Sequence, residues 1–537
     1  MAPGPPRPSL LHKLTTELGL RTILHAPADL HLIYLTRFLR MAAYGGVSLV
    51  LALFFAALSV PDARIGLFMT LTLLGDVGLS LALTLVADRL GRRRVLLLGC
   101  GGMVVAGAVF ANASAYWVLL GAAVVGVVSV SGNEIGPFRA VEESALAGLV
   151  GERERSEVFG WYVVVGTMGS ALGLAGAGWV VEACKRREGW VELDAFRVVF
   201  WGYGAVGVVK AGLTLLLSAR CEVDGYGGGG AAAGRGEYAT VGSGGGRSGR
   251  KDAAAEDAEE SERDVFLTPS RSSDEGPADD DERPLPPTPP TPAPPPKPKM
   301  GFAQLSAETR WMMLKLCALF FVDSLASGMV PYSLINFYLD RKFGLPKSTL
   351  GGIVAATWVT SSIGNIFAAS IARRIGLVQT MVFTHLPSAV FLALIPAAPV
   401  VWLTAILMVL RGTLASMDQA PRSAFLSLVV KPEERTAVMG IVNVVKTLSQ
   451  SGGPSVTGFL AGTDRFWIAF VVAGAMKAAY DCGLLTLFVK VERKAEGAIK
   501  LDRRETRQLA DEFELDTEDE ASDSGDEGRG KRRDSAA

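Results

Sequence analysis

Twelve stretches of about 20 mostly apolar residues dominate the chain, and a helix of that length crosses a bilayer. They come in two sets of six. The first lies near 32–58, 64–86, 95–113, 117–138, 158–182 and 197–218, the second near 311–337, 349–371, 378–397, 400–420, 437–461 and 466–489. In hydrocarbon every backbone N–H and C=O must find its partner within the segment, so such runs dictate helices. Of the 537 residues, 49% are hydrophobic, and mean hydropathy is +0.32. A water-soluble chain, which alternates polar and apolar faces, is less apolar than this. The expected fold class is an all-α membrane protein, twelve transmembrane helices arranged as two six-helix bundles.

The segment between the two sets is of another kind. It runs from a glycine-rich coil through "DAAAEDAEESERD" to "RPLPPTPPTPAPPPKPK", and none of it can bury a core. The expected organisation is a tail over 1–30, a bundle over 31–218, a disordered linker over 219–307, a second bundle over 308–490 and an acidic tail over 491–537. Arg283–Pro289 fits R-x-x-P-x-x-P, a ligand for an SH3-type partner; a proline-rich spacer is the simpler reading. The basic loops alternate. Arg89, Arg92, Arg93 and Arg94 follow the second span, Arg139, Arg153 and Arg155 the fourth, Arg373 and Arg374 the eighth, and Arg422, Lys431 and Arg435 the tenth. Basic loops stay on the cytoplasmic side, so both termini and the linker are expected there. A plasma membrane or a vacuole-type organelle membrane would house the chain, as a monomer.

Several classes are excluded. A net charge of -1 gives no field for nucleic acid. The five cysteines form no CxxC pair and the four histidines show no ligand spacing, so no disulfide framework, metal or cofactor is expected. No phosphate-binding Walker loop is present. An integral-membrane enzyme would need histidines or paired acids on one face, and His385 is the histidine inside a span.

The two sets repeat each other. "RSEVFG" at 155–160 matches "RTAVMG" at 435–440, and "RVVFWGYGAVGVVK" at 197–210 matches "RFWIAFVVAGAMK" at 465–477. Trp117 and Trp402 open the fourth and tenth spans, and "ADRLG" at 87–91 meets "ARRIG" at 372–376 at the same offset of 285. Matches in one order through both halves indicate two parallel six-helix repeats, a transporter architecture with its site at the repeat interface.

"ADRLGRRR" at 87–94 resembles the motif G-x-x-x-D-R-x-G-R-R of the major facilitator superfamily, with Thr84 where the motif has its first glycine and with Asp88, Arg89, Gly91, Arg92 and Arg93 in place. The second half keeps only Arg374 and Gly376. The resemblance implies secondary active transport of a small molecule by alternating access, without enzymatic activity. It implies that Asp88, with Arg89 and Arg92, latches the second span to the eleventh, and that spans one, four, seven and ten line the cavity. Coupling to protons is expected. A transporter-like receptor, signalling through linker and tail, is the alternative.

Charges inside spans are costly and mark function. Equal depth suggests that Arg40 pairs with Asp76, and that Asp323, Arg411 and Lys446 form a second cluster. Asp323, alone in "FFVDSLASG", is the leading proton carrier. Lys477 and Asp481, four apart, are expected to neutralise each other, and Lys210 to snorkel. Tyr44, Tyr332, Asn336 and Asn443 are further cavity candidates.

Overall fold

The computed structural model describes residues 23–130, 137–151, 154–222, 307–430 and 435–489. Among them there is no strand. The first half comprises α1 (Ala28–Ala57), α2 (Asp62–Leu90), α3 (Arg92–Asn112), α4 (Tyr116–Val125), α5 (Pro137–Leu149), α6 (Arg155–Lys185) and α7 (Glu192–Leu215). The second comprises α8 (Ala307–Met329), α9 (Tyr332–Phe343), α10 (Lys347–Ile375), α11 (Leu377–Leu394), α12 (Val401–Ser416), α13 (Gln419–Val429) and α14 (Arg435–Gly462), followed by α15 (Phe466–Val489). Of the expected tails and linker, only residues 23–30, 219–222 and 307 are described. The motif at Arg283–Pro289 and both acidic stretches lie outside the described residues.

Eight of the described helices are long and apolar enough to cross a membrane. The remaining four spans each have a physical reason to differ. α10 and α14 are long enough but carry serines, threonines and a lysine on inward faces. The fourth and tenth spans are each broken in two, α4 with α5 and α12 with α13. Pro137 opens α5 and Pro421 lies in the first turn of α13, the position where a missing N–H costs nothing. These spans therefore continue well past residues 138 and 420, where apolarity alone ends them. The seventh span breaks at Pro331, between α8 and α9.

The repeat is visible in the backbone. Gly91 and Gly376, 285 positions apart, have φ/ψ of 88/147° and 99/163°. This region excludes side chains bearing a Cβ, and it lets α2 turn into α3, and α10 into α11, over a single residue. Across the Gly91 turn the Glu222 carboxylate accepts from the Arg92 N–H at 2.8 Å and the Arg93 N–H at 3.2 Å, an anion at a helix N-terminus. The Arg92 and Arg93 guanidiniums donate to the carbonyls of Cys221 and Leu215. They tie down the end of the sixth span.

The halves meet along two helix seams. On one, Gly66 of α2 and Gly458 of α14 touch backbone to backbone: a Cβ on Gly66 would lie 2.2 Å from the Pro454 carbonyl oxygen, and one on Gly458 2.6 Å from that of Asp62. Ser455 donates to the Thr70 hydroxyl from its N–H at 3.1 Å and its own hydroxyl at 2.8 Å. On the other seam, Gly178 of α6 faces the Lys347 carbonyl and Gly351 of α10 faces that of Leu174. Ion pairs finish the junction. Arg341 is bidentate to Asp62 at 2.8 and 3.0 Å, and the Lys347 ammonium lies 3.2 Å from Glu192. These contacts occupy the end formed by the short loops at 58–61, 186–191, 344–346 and 463–465. Both seams extend roughly 10–17 Å inward from it.

Candidate functional site

Two buried ionic centres lie in the halves of the bundles nearer the basic loops. In the first, Glu142 of α5 accepts two hydrogen bonds from Arg40 of α1, each 2.6 Å. The Tyr162 hydroxyl donates to the same carboxylate at 2.8 Å, and the Lys210 ammonium of α7 lies 3.6 Å away. Arg40 and Glu142 are 0% and 1% exposed. Arg37 donates to the Tyr162 carbonyl and stacks on its ring at 3.8 Å.

In the second, Asp323 of α8 takes Lys477 of α15 at 2.8 Å and Arg422 of α13 at 3.2 Å. Lys477 also donates to the Ser327 hydroxyl, and Arg422 pairs with Asp418. His385 of α11 stands between two acids. Its Nδ1 is 3.0 Å from both carboxylate oxygens of Asp481, and its Nε2 is 3.7 Å from Asp323. Asp481 is fully buried.

The two centres are built on one plan with acid and arginine exchanged. In the first half the first span supplies the arginine (Arg40) and the continuation of the fourth the acid (Glu142). In the second the first span supplies the acid (Asp323) and the continuation of the fourth the arginine (Arg422). The last span gives the lysine in both, Lys210 and Lys477, which end the matching segments 197–210 and 465–477. Ions buried this deeply are costly unless matched, and removing one partner of such a pair costs about 3–5 kcal/mol.

The sequence-derived pairings are corrected accordingly. Arg40 is matched by Glu142, not by Asp76, whose buried Oδ1 has no hydrogen-bond partner. Asp323 is met by Lys477 and Arg422, not by Arg411 and Lys446. Arg411 sits 5.9 Å from the Tyr332 ring and Lys446 5.8 Å from the Phe320 ring. Lys477 and Asp481 do not neutralise each other, because nearer opposite groups on α8 and α11 claim them. Lys210 does not snorkel; it is buried against Glu142. Tyr44 is packed in the core, stacked on Tyr203 with ring centroids 6.3 Å apart, and Asn336 is buried, donating to the Ser48 carbonyl at 3.2 Å. The backbone of Asp88 and Arg89 continues α2, while their side chains lie outside the described set.

Sequence reasoning missed Glu142, met Asp418 only as the polar residue sixteen positions after Trp402 in the repeat, assigned Arg422 to a loop, and considered His385 only in the context of an enzyme. The signal was available. A proline in the first turn of a new helix, at 137 and 421, shows that the span resumes beyond it.

Two like bundles of membrane-spanning helices, joined along paired seams and each enclosing an ionic centre, define a polytopic membrane protein of the transporter type. The family model of the Major Facilitator Superfamily matches residues 33–227 and 316–516, and the chain belongs to that family. The uncharacterized membrane protein YJR124C of Saccharomyces cerevisiae is 32% identical over 471 residues, which is 87% of this chain and 96% of the yeast one. Among solved structures, the fold is shared with a bacterial homolog of the human lysosomal transporter Spinster, in an inward-facing and occupied conformation. That likeness has a TM-score of 0.59 at 12% identity, over 86% of this chain and 97% of that one. It is shared also with a D-xylose-proton symporter, at a TM-score of 0.57 and 11% identity over 85% and 97%. The nucleoside transporter NupG matches at a TM-score of 0.56 and 12% identity over 86% and 100%. The family is one of transporters rather than enzymes, and the chain is an integral, multi-pass membrane protein.

Proposed function

We propose that the protein is a secondary active transporter that moves a small molecule by alternating access, driven by protons. Both termini and the segment joining the bundles would face the cytoplasm, with the bundles over 31–218 and 308–490. The seams closed at the short-loop end represent one of the two states such a cycle needs, and the basic loops support the orientation.

The observation that carries proton coupling is His385, buried with a carboxylate at each ring nitrogen. Imidazole is the side chain whose ordinary titration range spans physiological pH, and here Asp481 stands at Nδ1 and Asp323 at Nε2. Asp323, with Lys477 and Arg422 against it, serves as their counter-ion, so the proton role expected for it moves to His385. The test is purified protein in liposomes loaded with a pH-sensitive dye and challenged with a deproteinised yeast extract. Transport should change the lumenal pH, and His385→Asn should reduce that change at least tenfold. Lumenal pH that stays constant while solutes cross would refute the coupling; absence of solute movement would refute transport.

A further inference from the structure

One helix of the second bundle has two separate exposed faces. On α14, Asn443, Lys446, Thr447 and Gln450 are exposed or half-buried, and their spacing of i, i+3, i+4 and i+7 places them in one stripe. Val444 and Leu448, 48% and 50% exposed, point roughly 130° away round the helix. In a membrane helix an exposed apolar face meets lipid. An exposed polar face needs water, and so borders a cavity.

Lys446 is the charge on that polar face. Its ammonium lies 5.8 Å from the Phe320 ring, and among the described residues no carboxylate or hydrogen-bond acceptor engages it. The acids nearby are already occupied: Asp323 by Lys477 and Arg422, Asp418 by Arg422, Asp481 by His385. A second cation without a carboxylate among the described residues, Arg411, stands at mid-span beside Tyr332. Every other described ion of this centre is matched within the protein.

We propose that Lys446 receives an anionic group of the transported molecule, a carboxylate or a phosphate, so that the substrate class is an organic anion. This rests on the transport reading above. The charges around His385 fit it. Asp323 on α8 and Tyr480 and Asp481 on α15 face the imidazole, and Arg422 and Asp418 at α13, Lys477 on α15 and Lys446 on α14 complete the charges of the centre. With His385 and Tyr480 neutral, three acids balance three cations; with His385 protonated, the centre carries one net positive charge. A bound anion then favours the proton, and by reciprocity the proton favours the anion. The two would travel together.

Charge-sorted fractions of the extract separate the possibilities. Liposomes holding the full-length protein are loaded with either the anionic fraction or the neutral and cationic fraction of a deproteinised yeast extract. Compounds that leave are identified by mass spectrometry against protein-free liposomes. Efflux is expected from the anionic fraction alone. Lys446→Gln should lower it at least tenfold, and Lys446→Arg, which keeps the charge, should retain most of it. Efflux of neutral or cationic compounds only would overturn the anion assignment and leave transport standing. Efflux from neither fraction would overturn transport itself. Anion efflux through a well-folded, monodisperse Lys446→Gln equal to that of the unaltered protein would overturn the site.

Discussion

Glu142 and Asp76 are both buried acids of the first bundle, yet opposite consequences are expected from removing their charges. Glu142 compensates Arg40 and Lys210 at once. Glu142→Gln removes the carboxylate that both cations share, at a cost of about 3–5 kcal/mol. In a thermal melt of the detergent-solubilised protein, this should lower the midpoint by on the order of 10 °C. Asp76 has a buried oxygen with no hydrogen-bond partner, so Asp76→Asn removes a burden rather than a contact. Its midpoint should stay level or rise. A large drop for Asp76→Asn, or none for Glu142→Gln, would mean that the ionic centre is not organised around Glu142.

At the scale of helices, the seam between α2 and α14 depends on glycine facing glycine. A Cβ on Gly458 would lie 2.8 Å from the Gly66 Cα as well as against the Asp62 carbonyl, and backbone cannot yield as a flexible side chain can. Gly458→Val should therefore destabilise the closed seam by about 1–3 kcal/mol, enough to shift a two-state ratio by roughly 5- to 150-fold. Spin labels at Ser59 and Asp464, in loops of opposite halves at the short-loop end, report the shift. The distance between them should lengthen in the variant and transport should slow. An unchanged distance distribution would show that the seam does not control closure.

For the whole molecule, alternating access requires the basic-loop end to close when the short-loop end opens. The major facilitator motif of the second span is where a latch would act. If Asp88 holds that end shut, its loss forfeits a charge-assisted contact of about 1.5–3 kcal/mol. The balance then moves roughly ten- to a hundredfold toward the arrangement seen here, with the short-loop seams closed. Asp88→Asn should slow transport, leave substrate binding measurable, and lengthen the distance between labels at Val150 and Leu377. A motif concerned with topology alone would leave both readings unchanged, since acids contribute little to orientation. Arg92 and Arg93 give this prediction a boundary. Their described contacts run to Leu215, Cys221 and the carboxylate of Glu222, so altering them also loosens the junction of the second, third and sixth spans.

The helical class, the two sets of six spans, the repeat and the family motif were all legible in the sequence. Each depends on local apolarity or on order along the chain, and a bilayer enforces helices wherever a segment is long and oily. The pairing of charges was not legible. Depth along a helix limits which ions can meet, but it does not say which way each side chain turns round its helix axis. Rotation is set by packing. It turned Arg40 toward Glu142 and away from Asp76, and gave Lys477 to Asp323 and Asp481 to His385 although the two lie one turn apart on the same helix. The continuation of the fourth and tenth spans beyond their prolines brought Glu142 and Arg422 into the membrane layer, and only the assembled bundles could show that these two complete the same centre with their charges exchanged.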